Sequence, residues 1–268
     1  MSLHGKVVLL TGASSGIGAA LARELAQRGA HLVLTARRLD LLEELAGELR
    51  VHGTQVLCVA TDVTRDGDLE HAVARAVAQF GGLDVVVANA GFSVVGAMAK
   101  LTQDDVRRQM ETNFFGVLRT YYATRAALIE RRGVLAMVGS VSGFISVPGS
   151  VAYSVSKFAV RALAEGLRAE LYRDGVAVVH IAPGFIESEL RRRDNKGQLP
   201  DQARDPVPRW LQMPATEAAR QIAWAIECRC ARQVLTRHGK VAVALSQHAY
   251  GLVDKLLRLS QVRWRAKT

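Results

Sequence analysis

VVLLTGASSGIG, residues 7–18, joins a short apolar run to a loop with three glycines. The glycines stand at 12, 16 and 18, a G-x-x-x-G-x-G spacing that differs from the commoner G-x-G-x-x-G dinucleotide fingerprint. Gly12 permits the turn, while Gly16 and Gly18 let a pyrophosphate approach a helix N-terminus, where free N–H groups attract anions. A plain glycine-rich turn is the alternative, but the position after the first strand favours cofactor binding.

Apolar runs and amphipathic stretches alternate along the rest of the chain. The strand-like runs are Val7–Leu10, Leu32–Thr35, Val56–Ala60, Val85–Ala88, Val134–Val138 and Val176–Ile181, and the helical stretches include Ala19–Arg28, Asp40–His52 and Leu69–Phe80. Strands that are apolar throughout are buried on both faces, and strand–helix alternation implies a parallel sheet with right-handed crossovers. We therefore predict a single-domain α/β fold, a doubly wound Rossmann-type parallel sheet with helices on both faces.

The predicted domain has three parts. Residues 1–190 form the cofactor-binding and catalytic core. Residues 185–215, polar and irregular with prolines at 200, 206, 208 and 214, form a substrate lid. Residues 241–268 form a basic amphipathic helix.

Composition excludes several classes of protein. The chain has 268 residues, 49% of them hydrophobic, and 6 prolines, which argues against disorder. No apolar run approaches the ~18 residues that cross a bilayer, and the N-terminus lacks a signal-peptide pattern. The three cysteines, Cys58, Cys228 and Cys230, have no metal-ligand spacing. We expect no metal site and a reducing, cytoplasmic setting.

The end of the second strand indicates which cofactor is bound. It reads TARRLD, so Ala36, Arg37 and Arg38 lie where the adenosine ribose is expected. An NAD site places a carboxylate there, whereas a 2′-phosphate requires arginine. Ser14 or Ser15 could add a hydroxyl donor. The sequence therefore predicts NADP(H).

Several motifs together resemble the short-chain dehydrogenase/reductase family over roughly residues 5–190. TGASSGIG (11–18) looks like its cofactor loop, TDVT (61–64) its adenine-binding acid, ANAG (88–91) its strand-four motif and PGFIES (183–188) its nicotinamide loop. TNFFG (112–116), GSVSG (139–143) and YSVSK (153–157) match its catalytic motifs. The resemblance implies the catalytic residues Asn113, Ser140, Tyr153 and Lys157. It implies a cofactor site formed by Gly12, Ser14, Ser15, Gly16, Ile17, Gly18, Arg37, Arg38, Asp62, Val63, Asn89, Ala90, Gly91, Tyr153, Lys157, Pro183, Gly184, Ile186 and Ser188.

Tyr153 and Lys157 share one helix face at a four-residue spacing. To exchange a proton with a carbonyl near neutral pH, a phenol needs a pKa about two to three units below ~10. That shift corresponds to a free energy of about 3–4 kcal/mol. One ammonium at ~4 Å supplies about 4 kcal/mol at an effective dielectric near ~20. We therefore expect Tyr153 to be the acid/base and Lys157 to lower its pKa. Ser140, or Ser142 with a poorer spacing, would donate to the substrate oxygen; by resemblance, Asn113 would hold a proton relay.

Bulky apolar residues follow the motifs and predict a hydrophobic carbonyl or alcohol substrate. The expected pocket residues are Phe92, Ser142, Phe144, Phe185 and Trp210, with Ile145 beside them. Arg191–Arg193 could meet an acidic substrate or form a solvated loop. His180, in an apolar strand, is interpreted as a core histidine with its hydrogen bonds satisfied.

The whole net charge of +10 lies in the C-terminal third, since residues 191–268 hold 16 Lys and Arg against 6 Asp and Glu. Leu245, Ala249, Leu252, Leu256 and Leu259 follow a 4-3-4-3 spacing there. Such a helix docks on anionic lipid, or packs on its own domain or a partner subunit. No nucleic-acid reading module accompanies the charge. A non-catalytic NADP sensor is a further alternative; by resemblance, the chain forms a homodimer or homotetramer.

Overall fold

Seven parallel strands form one sheet. A computed structural model describes residues 1–51, 53–191, 195 and 205–265, the last six of these for the backbone alone. The strands are β1 (Val7–Thr11), β2 (His31–Ala36), β3 (Val56–Ala60), β4 (Val85–Ala88), β5 (Val134–Val138), β6 (Ala177–Ala182) and β7 (Arg232–Val234), and their spatial order is β3-β2-β1-β4-β5-β6-β7. Every pair is parallel.

Helices cover both faces of the sheet. They are α1 (Gly16–Gln27), α2 (Leu39–Arg50), α3 (Asp68–Phe80), α4 (Gln103–Met110), α5 (Gly116–Arg131), α6 (Val151–Glu170), α7 (Ala215–Glu227), α8 (Arg237–His248) and α9 (Tyr250–Arg265). One apolar core joins the sheet to α1, α2 and α7, and a second joins it to α3, α5 and α6. The predicted doubly wound α/β fold is confirmed, and the six strands from β1 to β6 follow from apolar runs buried on both faces.

Two features near the C-terminal end of the chain differ from prediction. β7 is a three-residue, half-buried edge strand with one apolar residue, too short and too polar to give a strand pattern. The predicted helix over 241–268 is two helices, because the backbone leaves the helical region at Ala249, with φ −139° and ψ 47°. The 4-3-4-3 stripe therefore breaks, and Leu245 lies on α8 while the three later leucines lie on α9.

The strand order places a crevice at one end of the sheet. β1 pairs with β2 on one side and with β4 on the other, so the chain winds outward in opposite directions from this point. In open parallel sheets, ligands bind outside the carboxyl ends of the strands where the order reverses. The loops after β1 and β4 should therefore border a ligand site.

Candidate active site

A cleft of about 740 Å³ opens at the carboxyl ends of β1 and β4. All of the predicted cofactor-site residues line it, together with two other predicted site residues, Ser140 and Phe92. These residues come from the segments after six different strands, β1 to β6, and from α6, so the sheet topology brings them together. Within the described part of the chain, no group of three or more His, Cys, Asp or Glu side chains could share a metal ion.

The glycine loop after β1 has the shape that a pyrophosphate requires. Gly12 and Gly16 have φ of +66° and +55°, a region that side chains rarely adopt. A Cβ added at Gly18 would lie 2.2 Å from the carbonyl oxygen of Gly12. Ser15 begins α1 without a side-chain cap, so among the described residues no side chain occupies the first N–H groups of the helix. The loop therefore fits a dinucleotide phosphate.

The loop after β2 adds a cation to this site. Arg38 Nη2 donates to Ser14 Oγ at 3.1 Å and to Ser15 Oγ at 3.4 Å. Arg37 instead acts on Asp62. Burial tends to raise the pKa of the Asp62 carboxyl, but hydrogen bonds from Thr64 and the charge of Arg37 hold that pKa below its usual value. Arg38 is thus positioned over the glycine loop, and Asp62 stays ionised at neutral pH.

A threonine that the sequence patterns did not single out holds the loops after β1 and β4 together. Thr11 Oγ1 accepts from Asn89 N and from Ala90 N, each at 3.0 Å. The Asn89 side chain returns two bonds, from Nδ2 to Thr11 O at 2.9 Å and to Gly12 O at 3.2 Å. Thr11 could have been found from the sequence, because it is a hydroxyl residue at the end of a buried strand, where a polar group needs a hydrogen-bond partner.

Asn113 lies behind the cleft in a single π-helical turn, Glu111–Phe115, between α4 and α5. Its Oδ1 accepts from Phe92 N at 3.0 Å, and its Nδ2 donates to Phe92 O at 3.0 Å and to Ser156 Oγ at 3.1 Å. Asn113 is fully buried. Its amide therefore fixes the loop after β4 against α6, and π-helical turns often occur at functional sites.

Ser140, Tyr153 and Lys157 meet beside this loop. Ser140 follows β5, and its Oγ accepts from Ser142 N at 3.0 Å and donates to Pro183 O at 3.4 Å. Tyr153 and Lys157 lie in the first two turns of α6, where Lys157 Nζ is 5.7 Å from the centre of the Tyr153 ring. Lys157 is 4% exposed, and its Nζ donates to Val138 O at 2.9 Å.

The electrostatics of Tyr153 differ from the prediction. Burial raises the pKa of its hydroxyl, and the hydrogen bond with Ser140 and the charge of Arg191 only partly oppose that rise. The net shift is therefore opposite to the lowering expected from Lys157, whose Nζ donates to the Val138 carbonyl. Burial also lowers the pKa of Lys157 to about 8. Both groups are thus shifted toward their neutral forms.

Comparison with known proteins identifies the family. A family model described as short chain dehydrogenase matches residues 6–199, most of the chain. The chain is a short-chain dehydrogenase/reductase. The family predicted from its motifs is therefore confirmed.

The relatives of this short-chain dehydrogenase include a protein of similar length and a much longer one. It is 42% identical over 193 residues to an uncharacterized oxidoreductase of Myxococcus xanthus, covering 71% of this chain and 76% of that one. It is 39% identical over 189 residues to glycine betaine reductase ATRR of Emericella nidulans, covering 70% of this chain but 15% of that one.

Two solved structures share the fold and contain different cofactors. An alcohol dehydrogenase from the archaeon Thermococcus sibiricus, complexed with 5-hydroxy-NADP, is 28% identical with a TM-score of 0.77, covering 86% of this chain and 95% of that one. A short-chain dehydrogenase/reductase from Burkholderia phymatum, in complex with NAD, is 25% identical with a TM-score of 0.84. The match covers 94% of this chain and 96% of that one. The family therefore implies a nicotinamide cofactor and oxidoreductase chemistry, with both NADP and NAD among its ligands.

The substrate side of this dehydrogenase differs most from prediction. Among the described residues that line the cleft, Phe92 is the only one of the five expected pocket residues. Phe144 is 6% exposed and packs in a small core with Ala182 and Val243, so it faces away from the cleft. Trp210 is 83% exposed on a 3-10 turn, and the Phe185 ring stacks on His238. Ser142 contributes its backbone N–H to Ser140.

Five charged residues also line the cleft. The sequence did not place four of them in the site, namely Arg107, Arg108, Glu111 and Glu189, whereas the fifth, Arg191, begins the run expected to meet an acidic substrate or form a solvated loop. Arg191 is held by a bidentate ion pair with Asp205, in which Nε donates to Oδ1 at 2.9 Å, and it lies over the Phe185 ring at 5.8 Å. Arg191 thus faces the site with a fixed side chain; Arg192 and Arg193 lie outside the described residues.

His180 of β6 is buried, as predicted, but its hydrogen bonds are not satisfied. The ring is 1% exposed, and neither nitrogen has a partner among the described residues. It lies 5.8 Å from the Phe144 ring, and burial lowers its pKa to about 3. Its interpretation as a satisfied core histidine is therefore wrong, and the buried imidazole is neutral at physiological pH.

Proposed function

We propose that this short-chain dehydrogenase uses NADP(H) to interconvert a ketone or aldehyde and the corresponding alcohol. The observation that carries the proposal is one cleft in which Ser140, Tyr153 and Lys157 face the same space as the glycine loop. When bound, the nicotinamide supplies a hydride to the carbonyl carbon during reduction and accepts one during oxidation.

Tyr153 supplies the matching proton. In reduction, its hydroxyl protonates the substrate oxygen as negative charge develops there, and in oxidation the phenolate takes the proton back. Ser140 donates a hydrogen bond to the same oxygen and steadies the Tyr153 hydroxyl. Lys157 can replace the lost proton, since its pKa of about 8 lies near neutral pH.

Arginine at the ribose end supports NADP(H) over NAD(H). Arg38 is anchored by two serine hydroxyls at the edge of the glycine loop, and Arg37 lies beside it. No carboxylate occurs in the chain between the end of β2 and Asp40. A guanidinium in this position pairs with a 2′-phosphate in bidentate fashion, which a ribose hydroxyl cannot match.

Phe92 and Leu190 line the cleft and support a bulky hydrophobic substrate, whereas Phe144, Phe185 and Trp210 do not line it. The proposed substrate is a hydrophobic carbonyl compound, with Arg191 at the border of its site.

A panel of carbonyl compounds tests this function. Aromatic, steroid-like and fatty ketones and aldehydes should oxidise NADPH, followed by its absorbance, faster than sugars do. If NADPH binds and no carbonyl or alcohol turns over, the protein is a cofactor sensor and the proposed activity is wrong.

We also propose that the chain forms a homodimer or homotetramer through α5 and α6. Large hydrophobic residues lie exposed on these two helices, among them Tyr122 at 67%, Val155 at 49% and Phe158 at 40%. Paired helices would cover them. Sedimentation equilibrium tests the proposal, and a monomer at micromolar concentration contradicts it.

A further inference from the structure

Helix α9 carries a row of leucines that its own domain leaves uncovered. Leu252, Leu256 and Leu259 are 52%, 53% and 56% exposed. Their 4-3 spacing places them on one face of the helix. We name this surface, Leu252, Leu256 and Leu259, the α9 leucine face.

The packing of α9 uses a different side of the helix. Val253 is 6% exposed and faces the protein, and Leu257, one turn further, is half-buried. These two residues lie about 100° and 140° around the helix from Leu252, whereas Leu256 and Leu259 lie within about 40° of it. The leucine face is therefore not needed to attach α9 to the domain, which leaves it free to bind a partner.

The sequence that contains this face is also positively charged. Residues 241–268 contain five basic residues, Lys255, Arg258, Arg263, Arg265 and Lys267, and one acidic residue, Asp254. Asp254 is already paired with Arg258 at 2.7 Å. The segment thus combines an exposed apolar face with a net charge of +4.

We propose that α9 docks this protein on an anionic lipid surface, with the leucine face entering the headgroup boundary and the Lys and Arg side chains meeting the lipid headgroups. A second copy of the chain fits less well, because pairing two α9 helices would bring two segments of the same positive charge together. An anionic bilayer takes up both the apolar face and the charge. The proposed contact is peripheral. No helix in the described ranges is long and apolar enough to span a membrane.

Vesicle flotation of the full chain tests the proposal, which does not depend on the enzymatic activity. The wild-type protein should float with phosphatidylcholine vesicles that contain phosphatidylserine and remain unbound with phosphatidylcholine alone, and added salt should weaken binding. Leu256→Glu should reduce binding about tenfold or more. Val77→Glu is the matched control, since Val77 is a 42% exposed residue of α3 and takes the same charge change.

A second pair of variants tests the charge alone. Lys255→Gln should weaken binding several-fold, and Lys100→Gln, an exposed lysine outside α9, should not. Circular dichroism and thermal melting check that each variant folds. The proposal is overturned if the wild type does not float, floats equally without phosphatidylserine, or if Leu256→Glu behaves as Val77→Glu. Loss of a dimer in Leu256→Glu by sedimentation, without wild-type flotation, would assign the face to a contact between copies instead.

Discussion

Replacing Arg38 by alanine tests how the cofactor is chosen. Arg38 reaches Ser14 and Ser15 over the glycine loop, so its guanidinium is already positioned for a phosphate at the ribose. A hydrogen bond to a charged group contributes about 1.5–3 kcal/mol. Because solvent screens the exposed Arg38, we take about 1.5–3 kcal/mol as the total binding free energy lost in Arg38→Ala, and not as the loss for each hydrogen bond. It corresponds to a factor of about 10 to 150 in affinity.

Steady-state kinetics with both cofactors measures this effect. We expect Arg38→Ala to raise KM for NADPH by about 10- to 150-fold and to leave KM for NADH within about threefold, since only the 2′-phosphate loses a partner. Arg37→Ala should have a smaller effect, because Arg37 acts on Asp62. Arg23→Ala, an exposed arginine of α1 paired with Glu48, is the control. Equal losses for both cofactors, or no loss for NADPH, would refute the assignment of Arg38 to the phosphate.

Three further predictions concern buried groups and the glycine loop. His180→Leu should leave the free energy of unfolding at pH 7 unchanged or about 1 kcal/mol higher, since it removes two unpaired polar atoms. His180→Leu should also reduce the loss of stability on acidification between pH 6.5 and about 3, because in that range the unfolded chain binds a proton that the folded imidazole does not. Urea titrations at several pH values measure both the stability at pH 7 and its change with pH. By the same reasoning, the lowered pKa of Lys157 makes the free energy of unfolding rise with pH between about 8 and 10.5. Lys157→Met should remove this rise. Gly18→Ala should abolish cofactor binding measured by calorimetry, because its Cβ would lie 2.2 Å from a backbone oxygen, whereas Gly47→Ala, a helical glycine with nothing within 4 Å, should stabilise the protein by up to about 1 kcal/mol.

The sheet and the cofactor cleft were predictable because both depend on local patterns. Runs such as Val85–Ala88 and Val134–Val138 are apolar on both faces, and only a covered parallel sheet buries them. The glycine loop was predictable because Gly12 and Gly16 have positive φ, a backbone conformation that favours glycine. Once the strand order is fixed, the loops after β1 and β4 must meet at one edge, so their residues share the cleft.

The substrate side could not be predicted because it depends on where single side chains turn. Phe144 follows a catalytic motif, but its ring turns into a core with Ala182 and Val243 and lies between the guanidinium groups of Arg161 and Arg232 at 4.3 and 4.9 Å. No spacing rule distinguishes that orientation from one that faces the cleft.

The pKa of Tyr153 could not be predicted from the sequence for a similar reason. A four-residue spacing places Lys157 on the right face of α6, but it reveals neither the bond from Lys157 Nζ to Val138 O nor the burial that raises the Tyr153 pKa. The π-helical turn that carries Asn113 is similar, since its extra residue leaves no periodicity signal in five residues.

Single-turnover kinetics of Tyr153→Phe with NADPH, alongside direct measurement of NADPH affinity, tests most directly whether this phenol moves the proton. We expect hydride transfer to slow by about 10²- to 10⁴-fold while the Kd for NADPH stays within about threefold, since the ring remains and only the proton donor is lost. A variant that keeps near wild-type turnover, or that loses NADPH binding along with it, would contradict the account.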